Sequence, residues 1–427
     1  MKLLTVISGS ISDTYGGGQE YIRNLLRGFS EQGIMTTVLS FVPQKEIVQK
    51  REFDGHLLVE LGCLSSGWKE TAERFVAQVH PDIIHAHGEK KLTMAIASKF
   101  NIPCVVTAHH GGLICPAGAL LNTRDEICNV KVNDDNCLRC MTRGIPCGSL
   151  FFFMLRILPL QWRIRLSHYF EKKKPLFLLT PLLTATGIIL SKQDTIAMLK
   201  KTAVIVSPCE RMKDCLNTNG IIGNVKVIPH GIPFLPPKPL PQINGKIKFM
   251  YVGRINYVKG LHILMEAFSK IDQNRYELHI IGEAANRREQ HYKNRLRHKY
   301  SAVNTIWHGK VNHSEISTIL SECHVMVLPT ICLEIFGLTI AEALSVGRPV
   351  LATRCGGAEM QIEDEQNGWL VQPNNVPLMR KAIIRVIDSP ELIQKCSCNC
   401  HATVFQKHID SLMALYEETI SKVKQQA

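Results

Sequence analysis

Two glutamates in the stretch EIFGLTIAE, Glu334 and Glu342, carry carboxylates that could accept hydrogen bonds or work as an acid–base pair. In one continuous helix they would lie ~80° and about two turns apart, because each residue turns ~100°. That geometry is poor for shared chemistry. We therefore expect the helix LTIAEALSVG to begin between them, with Glu334 in the loop after the strand HVMVLPT. The alternative is that Glu342 only complements the helix dipole and Glu334 is a solvated loop residue.

Two cations, Arg254 and Lys259, follow another predicted strand, KFMYVG, in the stretch YVGRINYVKGLHIL. Loops after neighbouring parallel strands converge on one edge of a sheet, where ligands bind. A helix N-terminus at that edge offers free N–H groups and a partial positive charge. Together with two cations, it could clamp a diphosphate and offset the charge that develops as it leaves. Taken singly, each cation could equally be a surface charge.

The composition predicts a two-domain chain with anionic partners. A chain of 427 residues with 45% hydrophobic content is too long for one ordinary core. Lys plus Arg number 50 against 37 Asp plus Glu, a net charge of +13, which favours phosphorylated substrates, anionic lipids or nucleic acid. The N-terminal apolar run is expected to be a strand, not a secretory signal. The apolar stretch 175–191 contains two prolines and a glycine, and we expect it not to span a membrane.

Strand and helix patterns alternate twice along the chain, which is typical of doubly wound parallel sheets. We expect an α/β fold with a first Rossmann-like domain over residues 1–231 and a second over residues 247–402. The proline-rich stretch 232–246 is the predicted linker between them. Residues 403–427 are expected to form a helix that packs back on the first domain. Two such domains facing each other leave a cleft between them.

A cysteine-rich insert is predicted at residues 111–148. Four thiolates could bind a structural zinc ion tetrahedrally, and unligated thiols or a redox pair are the alternatives. Without a secretory signal, the compartment is expected to be reducing. The candidate zinc ligands are Cys115, Cys128, Cys137, Cys140 and Cys147.

A basic and aromatic segment follows at residues 150–174. It interleaves phenylalanines, leucines and Trp162 with Arg156, Arg163 and Arg165. Such a composition predicts amphipathic helices that lie on an anionic membrane. The alternative is two core helices whose cations reach out to solvent.

Six short motifs together resemble the retaining glycosyltransferases of the GT-B fold, glycosyltransferase family 4 in particular. They are the E-x7-E pair, the GR…KG loop, VIPHGI before the linker, GGQE after the first strand, VVTAHH and RCGGAE. The resemblance covers nearly the whole chain in the expected order. It implies a GT-B fold of two Rossmann-like domains, with the nucleotide sugar on the C-terminal domain and the acceptor on the N-terminal domain.

The resemblance also implies roles for residues of the second domain. Arg254 and Lys259 would hold the donor diphosphate. Glu342 would bind the donor ribose, and Glu334 would contact the transferred sugar. The backbone at the helix N-terminus would meet the phosphate or the sugar through Gly337 and Leu338. No metal is implied for catalysis, since the cations neutralise the leaving group.

In the first domain, the resemblance implies that His109 lines the sugar or acceptor site. Gly17 and Gly18 would let backbone approach the phosphates or the acceptor. Many relatives carry Asp where this chain has His110, which leaves the acceptor contacts open. Two further histidines, His85 and His87, end another strand, where lone histidines are either structural or part of a cleft.

The leading hypothesis is a retaining hexosyltransferase that moves a sugar from a UDP- or GDP-sugar to a lipid-linked glycan in surface polysaccharide or lipopolysaccharide biosynthesis. It would be cytoplasmic and peripheral on the cytoplasmic face of the membrane, without nucleic acid as a partner. A phosphorylase or epimerase on the same fold is one alternative. A basic protein that binds membrane or nucleic acid through a metal knuckle is another, and an inactive scaffold is a third.

Overall fold

The computed structural model describes residues 1–11, 16–43, 45–46, 48–64, 66–142, 148–173 and 183–426. The chain divides into two compact units. Unit 1 comprises Met1–Thr123, Cys128–Ile228 and His408–Ala427, and unit 2 comprises Arg124–Ile127 and Pro229–Lys407.

Unit 1 is built on an eight-stranded sheet in the order β3-β4-β2-β1-β5-β6-β7-β8. All neighbours are parallel except the antiparallel pair β3–β4. Most of these strands are buried, as continuous apolar runs require, whereas β3 is an exposed edge rich in charge. The strands are β1 (Leu3–Ser8), β2 (Thr36–Val42), β3 (Val48–Phe53), β4 (His56–Gly62), β5 (Ile83–Ala86), β6 (Cys104–Thr107), β7 (Val204–Ser207) and β8 (Val225–Val227).

Helices cover this sheet with their apolar faces. In α1, Ile22, Leu25 and Phe29 recur at helical spacing and are buried, and the helix is followed by Gly33 at φ +68°. The helices are α1 (Gly17–Glu31), α2 (Trp68–Val79), α3 (Lys90–Lys99), α4 (Asp134–Met141), α5 (Gly148–Ile157), α6 (Leu160–Lys173), α7 (Ala185–Leu199) and α8 (Glu210–Thr218).

Unit 2 carries a six-stranded parallel sheet in the order β11-β10-β9-β12-β13-β14. The chain order reverses at β9, which lies between β10 and β12. Such a switch point forms the ligand crevice of open α/β sheets. The strands are β9 (Ile247–Val252), β10 (Tyr276–Ile281), β11 (Thr305–Gly309), β12 (Val325–Leu328), β13 (Val350–Thr353) and β14 (Gly368–Val371). The helices are α9 (Leu261–Phe268), α10 (Arg287–Lys299), α11 (His313–Ser321), α12 (Leu338–Ser345), α13 (Gly357–Gln361), α14 (Val376–Asp388) and α15 (Glu391–Cys398).

The last helix, α16 (Phe405–Gln426), returns to unit 1 from His408 onward. Two buried side chains attach it there. His408 Nε2 hydrogen-bonds the Tyr21 hydroxyl at 2.9 Å, and the Tyr416 hydroxyl hydrogen-bonds His85 Nδ1 at 2.5 Å. The helix predicted at residues 403–427 therefore completes the core of unit 1.

Hydropathy along the helices also bears on membrane insertion. Among the described residues, none of the helices combines the length and the apolar character that crossing a bilayer demands. Residues 175–182 of the apolar stretch 175–191 lie outside the described residues.

The proline-rich stretch 232–246 is fixed to unit 2 by a buried arginine. Arg348 is fully buried, and its guanidinium donates to the carbonyl oxygens of Lys238 at 3.0 Å and Pro239 at 2.6 Å. It also donates to the carbonyl of Ser321 at 2.8 Å, at the end of α11, and to those of Val346 and Gly347 after α12. One guanidinium group thus donates hydrogen bonds to five backbone carbonyl groups that lie at helix ends or in the proline-rich stretch.

We expect Arg348→Met to destabilise unit 2 by about 3 kcal/mol or more, because several buried carbonyls lose their donor. Arg348→Lys should recover only part of this, since an ammonium group lacks the planar fork. The urea dependence of circular dichroism and tryptophan fluorescence measures the loss. Arg385→Met is the control, because Arg385 is an exposed partner of Glu365 and should cost little. Equal stability of the Arg348→Met and Arg385→Met proteins would contradict this assignment.

Candidate functional site

The loops after β9 and β12 approach each other at a glycine. Gly260 has φ +73°, and a Cβ there would lie 1.8 Å from the carbonyl oxygen of Pro329, which directly follows β12. Only glycine satisfies both the left-handed backbone and this contact. The N–H of Ile331 also donates to the carbonyl of Val258 at 3.0 Å. The two loops predicted to converge therefore form one hydrogen-bonded surface.

An ion pair joins these loops. The ammonium group of Lys259 contacts the carboxylate of Glu334, and the two side chains are 26% and 19% exposed. A short 3-10 turn, Tyr257–Lys259, aims the lysine, and its N–H is capped by the Asn256 side chain at 3.1 Å. Burial alone would lower the pKa of Lys259, but the negative charge of Glu334 outweighs it and raises the pKa. Lys259 therefore carries its positive charge at neutral pH.

Arg254 is held by a different carboxylate, Glu289 in α10. Its Nε lies 3.0 Å from Glu289 Oε2, and its Nη2 lies 2.7 Å from Glu289 Oε1. This side-on pairing uses two of the five guanidinium N–H groups and leaves three for another acceptor. The Arg254 side chain is 52% exposed and that of Glu289 only 13% exposed. Glu289 thus fixes the orientation of a cation whose free edge faces solvent.

Hydrogen bonds at the N-terminus of α10 hold Glu289 in place. It accepts the N–H of Ala285 at 2.8 Å, while its own N–H donates to the Asn286 side chain at 3.0 Å. Burial would raise the pKa of Glu289, but the hydrogen bonds from Arg254 and Ala285 outweigh it and lower the pKa. Sequence reasoning missed this residue. The available signal was the N-x-x-E capping pattern after β10, the strand beside β9.

The N-terminus of α12 lies at the same edge of the sheet. The helix begins at Leu338 after Gly337, which has φ +78°, and no side chain caps it. The prediction that a helix starts between Glu334 and Glu342 is therefore confirmed. Glu342 lies within α12 and is only 5% exposed.

The loop that carries Glu334 is hydrogen-bonded to the residues that follow β13. The N–H of Glu334 donates to the carbonyl of Cys355 at 2.8 Å, and the N–H of Gly357 donates to the carbonyl of Glu334 at 2.7 Å. A Cβ on Gly357 would lie 2.3 Å from the Phe336 carbonyl oxygen, so the RCGG stretch packs backbone against backbone. Unit 2 thus combines two oriented cations, a buried carboxylate and an open helix N-terminus at its switch point, an arrangement that can hold a diphosphate.

Unit 1 has its own cavity of about 700 Å³, within the size range of ligand sites. It opens at the ends of β1, β5 and β6, where the strand order also reverses. His109 lines it, with Nε2 2.8 Å from His87 Nδ1, and the Tyr21 ring contacts His109 edge-on. Gly18 lines this cavity as well, whereas Gly17 is exposed at the start of α1.

The structure gives different surroundings to the two histidines at the end of β5, His85 within the strand and His87 directly after it. His87 lines the cavity, but His85 is fully buried between the Thr107 hydroxyl, 2.7 Å from its Nε2, and Tyr416. Burial, followed by the charges of His408 and Lys90, lowers the pKa of His85 to about 3. His85 is therefore a neutral structural residue, and His87 belongs to the cavity.

The cysteine insert contains free thiols. Cys115, Cys128, Cys137 and Cys140 are unbridged, while Cys147 lies outside the described residues. Burial raises the pKa of Cys137 to about 11; a backbone hydrogen bond at Asn133 opposes this shift and the neighbouring thiols add to it. The protonated thiol is therefore favoured at neutral pH. Over the described parts of the chain, no three His, Cys, Asp or Glu side chains are arranged to hold a metal ion. Zinc binding by this insert stays a prediction.

Two stretches of the chain match models of known protein families. Residues 237–401 match the family model described as glycosyl transferases group 1, and residues 15–125 match that of glycosyltransferase family 4. An uncharacterized glycosyltransferase of Methanocaldococcus jannaschii is 28% identical over 179 residues. The match covers 41% of this chain and 44% of that protein, so it spans less than half of the relative.

Solved structures resemble the whole chain. Sucrose-phosphate synthase from Thermosynechococcus elongatus superposes with a TM-score of 0.67 at 16% identity, covering 100% of this chain and 99% of that one. HepE of Anabaena, solved in complex with UDP-glucose, gives a TM-score of 0.67 at 12% identity, covering 99% and 100%. Similarity at this level establishes the fold, which is GT-B. The chain thus has the GT-B fold, and its two parts match, in this order, the models of glycosyltransferase family 4 and of glycosyl transferases group 1.

Proposed function

We propose that this protein is a retaining glycosyltransferase that moves a hexose from a nucleoside diphosphate sugar to a glycan acceptor. The observation that carries the proposal is the set of two oriented cations and an uncapped helix N-terminus at the switch point of unit 2. These features fit a diphosphate. The match of this unit to glycosyl transferases group 1 supports the same conclusion, and UDP-glucose in the HepE structure makes a UDP-sugar the first donor to test.

The reaction exchanges two bonds at the anomeric carbon of the donor. The bond from this carbon to the diphosphate oxygen breaks, and a bond to an acceptor hydroxyl oxygen forms on the same face. The hydroxyl proton passes to an oxygen of the leaving diphosphate, which takes both electrons of the broken bond. Arg254, Lys259 and the N-terminus of α12 stabilise the charge on that diphosphate. Positive side chains thereby replace a metal ion behind the leaving group.

Glu334 is best suited to orient the transferred sugar. Its carboxylate shares its charge with Lys259, which lowers its tendency to attack the anomeric carbon. The same carboxylate retains lone pairs that can accept hydrogen bonds from sugar hydroxyls. Glu342, buried in α12, accepts hydrogen bonds from the donor ribose. The backbone of Gly337 and Leu338 meets the phosphate.

The acceptor side of the proposal rests on unit 1. His109 and His87 line its cavity, and Gly18 leaves open space beside its Cα atom. His109 would contact the sugar or the acceptor hydroxyl from this cavity. A glycan acceptor attached to a lipid is favoured by the surface of α5 and α6.

Large apolar side chains on α5 and α6 face solvent. Ile157 is 82% exposed and Trp162 is 58% exposed. Arg156 and Arg165 are exposed among them and stack on Phe152 and Trp162. We name the following residues the apolar patch: Leu150, Phe153, Met154, Ile157, Trp162 and Tyr169.

The third arginine of this segment has a different role. Arg163 is buried and pairs with Asp134 of α4, so it fastens α6 to unit 1 while the apolar patch points outward. An apolar surface with flanking cations fits the interface of an anionic membrane. We therefore place the protein on the cytoplasmic face of a membrane, where it would extend a lipid-linked surface polysaccharide.

Arg254→Ala should weaken binding of the nucleotide sugar about 10- to 100-fold, because a charge-assisted contact to phosphate is lost. Glu342→Gln should also weaken it by removing the charged acceptor for the ribose. EDTA should change nothing. Thermal shift and calorimetry with UDP-, GDP-, ADP- and dTDP-sugars measure these effects. Arg275→Ala, which removes an exposed partner of Asp388 in the same unit, is the control. The absence of stabilisation by every nucleotide sugar would overturn the donor site.

Glu289→Ala should weaken the same donor about tenfold, because Arg254 loses the carboxylate that orients it. The matched control is Glu315→Ala. Glu315 occupies the equivalent capping position of α11 and accepts the N–H of Asn312 at 3.0 Å, but it pairs with no arginine among the described residues. Both variants lose a helix cap, so a difference in donor affinity isolates the orienting contact. Equal affinities of the two variants would contradict this role.

The double variant Ile157→Ser, Trp162→Ser should bind vesicles containing phosphatidylglycerol at least tenfold more weakly than the native protein. Each of these apolar side chains would contribute about 1.5–3 kcal/mol when it enters the membrane. Cosedimentation measures this binding, and added salt should weaken it further. Ile222→Ser, Phe234→Ser is the control, since these residues are 76% and 82% exposed elsewhere on the chain. Equal loss in both double variants would remove the apolar patch as the docking surface.

A further inference from the structure

The cavity of unit 1 gathers positive charge that the donor site does not explain. Among the described residues that line it are three lysines and three histidines, against one glutamate. The lysines are Lys90 and Lys91 on α3 and Lys192 on α7. The charge of the cavity is therefore strongly positive whenever its lysines are protonated.

Lys90 lies in the first turn of α3 and its side chain bends back over the end of β5. Its ammonium group donates to the carbonyl of His87. The α3 N-terminus has no side-chain cap, and the preceding residue, Glu89, is held in the left-handed region at φ +37°. Such strain in a residue other than glycine is concentrated at functional sites. A lysine and the positive end of a ten-residue helix thus lie at one side of the cavity.

Lys192 faces the cavity from the other helix. Its ammonium group donates to the carbonyl of Gly112, in the turn after β6. Lys91 has Asp194 as an ion-pair partner at 3.1 Å. Among the described residues, by contrast, neither Lys90 nor Lys192 has a carboxylate within ion-pair distance. Each satisfies one N–H on a backbone carbonyl, which leaves two donors per ammonium group.

These two cations strain each other electrostatically. Burial lowers the pKa of Lys90 to about 8; Glu89 opposes this shift and Lys192 adds to it. Partial burial lowers the pKa of Lys192, and partial burial together with both lysines lowers that of His110. Like charges in a half-buried cavity lower the stability of the folded protein unless a counter-charge arrives. Charged groups that lower the stability of the folded protein are often found at binding sites.

We propose that the unit 1 cavity binds a phosphate or diphosphate group of the glycosyl acceptor between Lys90 and Lys192. The inference rests on the proposed function and names the acceptor class, a phosphate-bearing glycan. Lysines act as point charges and suit phosphate, whereas a carboxylate is matched best by the planar fork of arginine. The described residues that line the cavity include no arginine. Two lysines and a helix N-terminus also suit a ligand with more than one negative charge.

The phosphate could come from a lipid diphosphate or from a soluble sugar phosphate. The helix that carries Lys192 connects the cavity with the apolar patch, because α6 packs on α7 through Ser167. The Ser167 hydroxyl donates to the carbonyl of Leu183 at 2.8 Å and accepts the N–H of Gly187 at 3.1 Å. A membrane-anchored diphosphate would therefore meet two features of one packed helix pair.

Calorimetric titration with pyrophosphate tests the site. All proteins carry Arg254→Ala, which disables the donor site that would also take this probe. In that background, Lys90→Gln and Lys192→Gln should each weaken pyrophosphate binding at least tenfold. Lys99→Gln should leave it unchanged, because Lys99 is an exposed residue at the far end of α3 and pairs with Glu73. Binding by the Lys192→Gln protein as tight as that by the Lys99→Gln protein would overturn the proposal.

Unfolding without any ligand provides a second readout. If the two lysines serve a ligand, Lys90→Gln and Lys192→Gln proteins should unfold at a temperature no lower than the Arg254→Ala parent, since like-charge repulsion is relieved. Pyrophosphate should raise that temperature in the parent only. A clear loss of stability in both variants, with unchanged pyrophosphate binding, would assign the lysines to capping of the two carbonyls and overturn the proposal.

Competition identifies the source of the phosphate. Displacement of pyrophosphate by farnesyl diphosphate supports a lipid-linked acceptor, and displacement by glucose 1-phosphate supports a soluble one. Displacement by glucuronate alone would assign the cavity to carboxylates and overturn the proposal. Pyrophosphate binding at this cavity combined with failure of every nucleotide sugar at unit 2 would leave the anion site standing and reject the transferase. The anion site of unit 1 and the transferase function can therefore be rejected independently of each other.

Discussion

The close contact between Gly260 and the carbonyl of Pro329 is the constraint on which the unit 2 site depends. Because the backbone there leaves no room for a Cβ, the loop after β9 lies against the loop after β12. Lys259 and Glu334, 75 residues apart in sequence, can pair only because of that contact. Gly357, at the start of α13, makes a similar close backbone contact with Phe336. The two glycines therefore permit the close backbone contacts that position Lys259 and Glu334. These charged side chains can then act on a ligand in the crevice.

Carboxylates orient both cations of this site. Arg254 presents the free edge of its guanidinium because Glu289 holds the other edge. Burial lowers the pKa of Lys259, but the neighbouring Glu334 outweighs it and raises the pKa. A diphosphate entering the crevice would share these cations with carboxylates that are already in place. Such preorganisation lowers the cost of aligning the donor. In the proposed reaction, the ion pair of Glu334 with an ammonium group favours positioning of the sugar over attack on it.

Much of this arrangement could be predicted from sequence, because it depends on local pattern. The apolar runs of β1, β9 and β12 and the helix that begins between Glu334 and Glu342 follow from hydrophobic spacing and strand–helix alternation. The hairpin of β3 and β4 was missed, although Asp54 and Gly55 form the two-residue turn that favours it. The remaining features depend on contacts distant in sequence. Glu289 reaches Arg254 from 35 residues away, and His85 differs from His87 because Thr107 and Tyr416 cover it.

Transfer of a sugar with retained configuration is the central proposal for this protein, and proton NMR tests it most directly. The protein is incubated with the nucleotide sugar that stabilises it best, and the spectrum is followed from the first minutes. We predict release of the nucleoside diphosphate, with the freed or transferred sugar appearing first in the same anomeric configuration as in the donor. First appearance of the opposite anomer would contradict retention. Absence of any nucleoside diphosphate release would contradict the transferase itself.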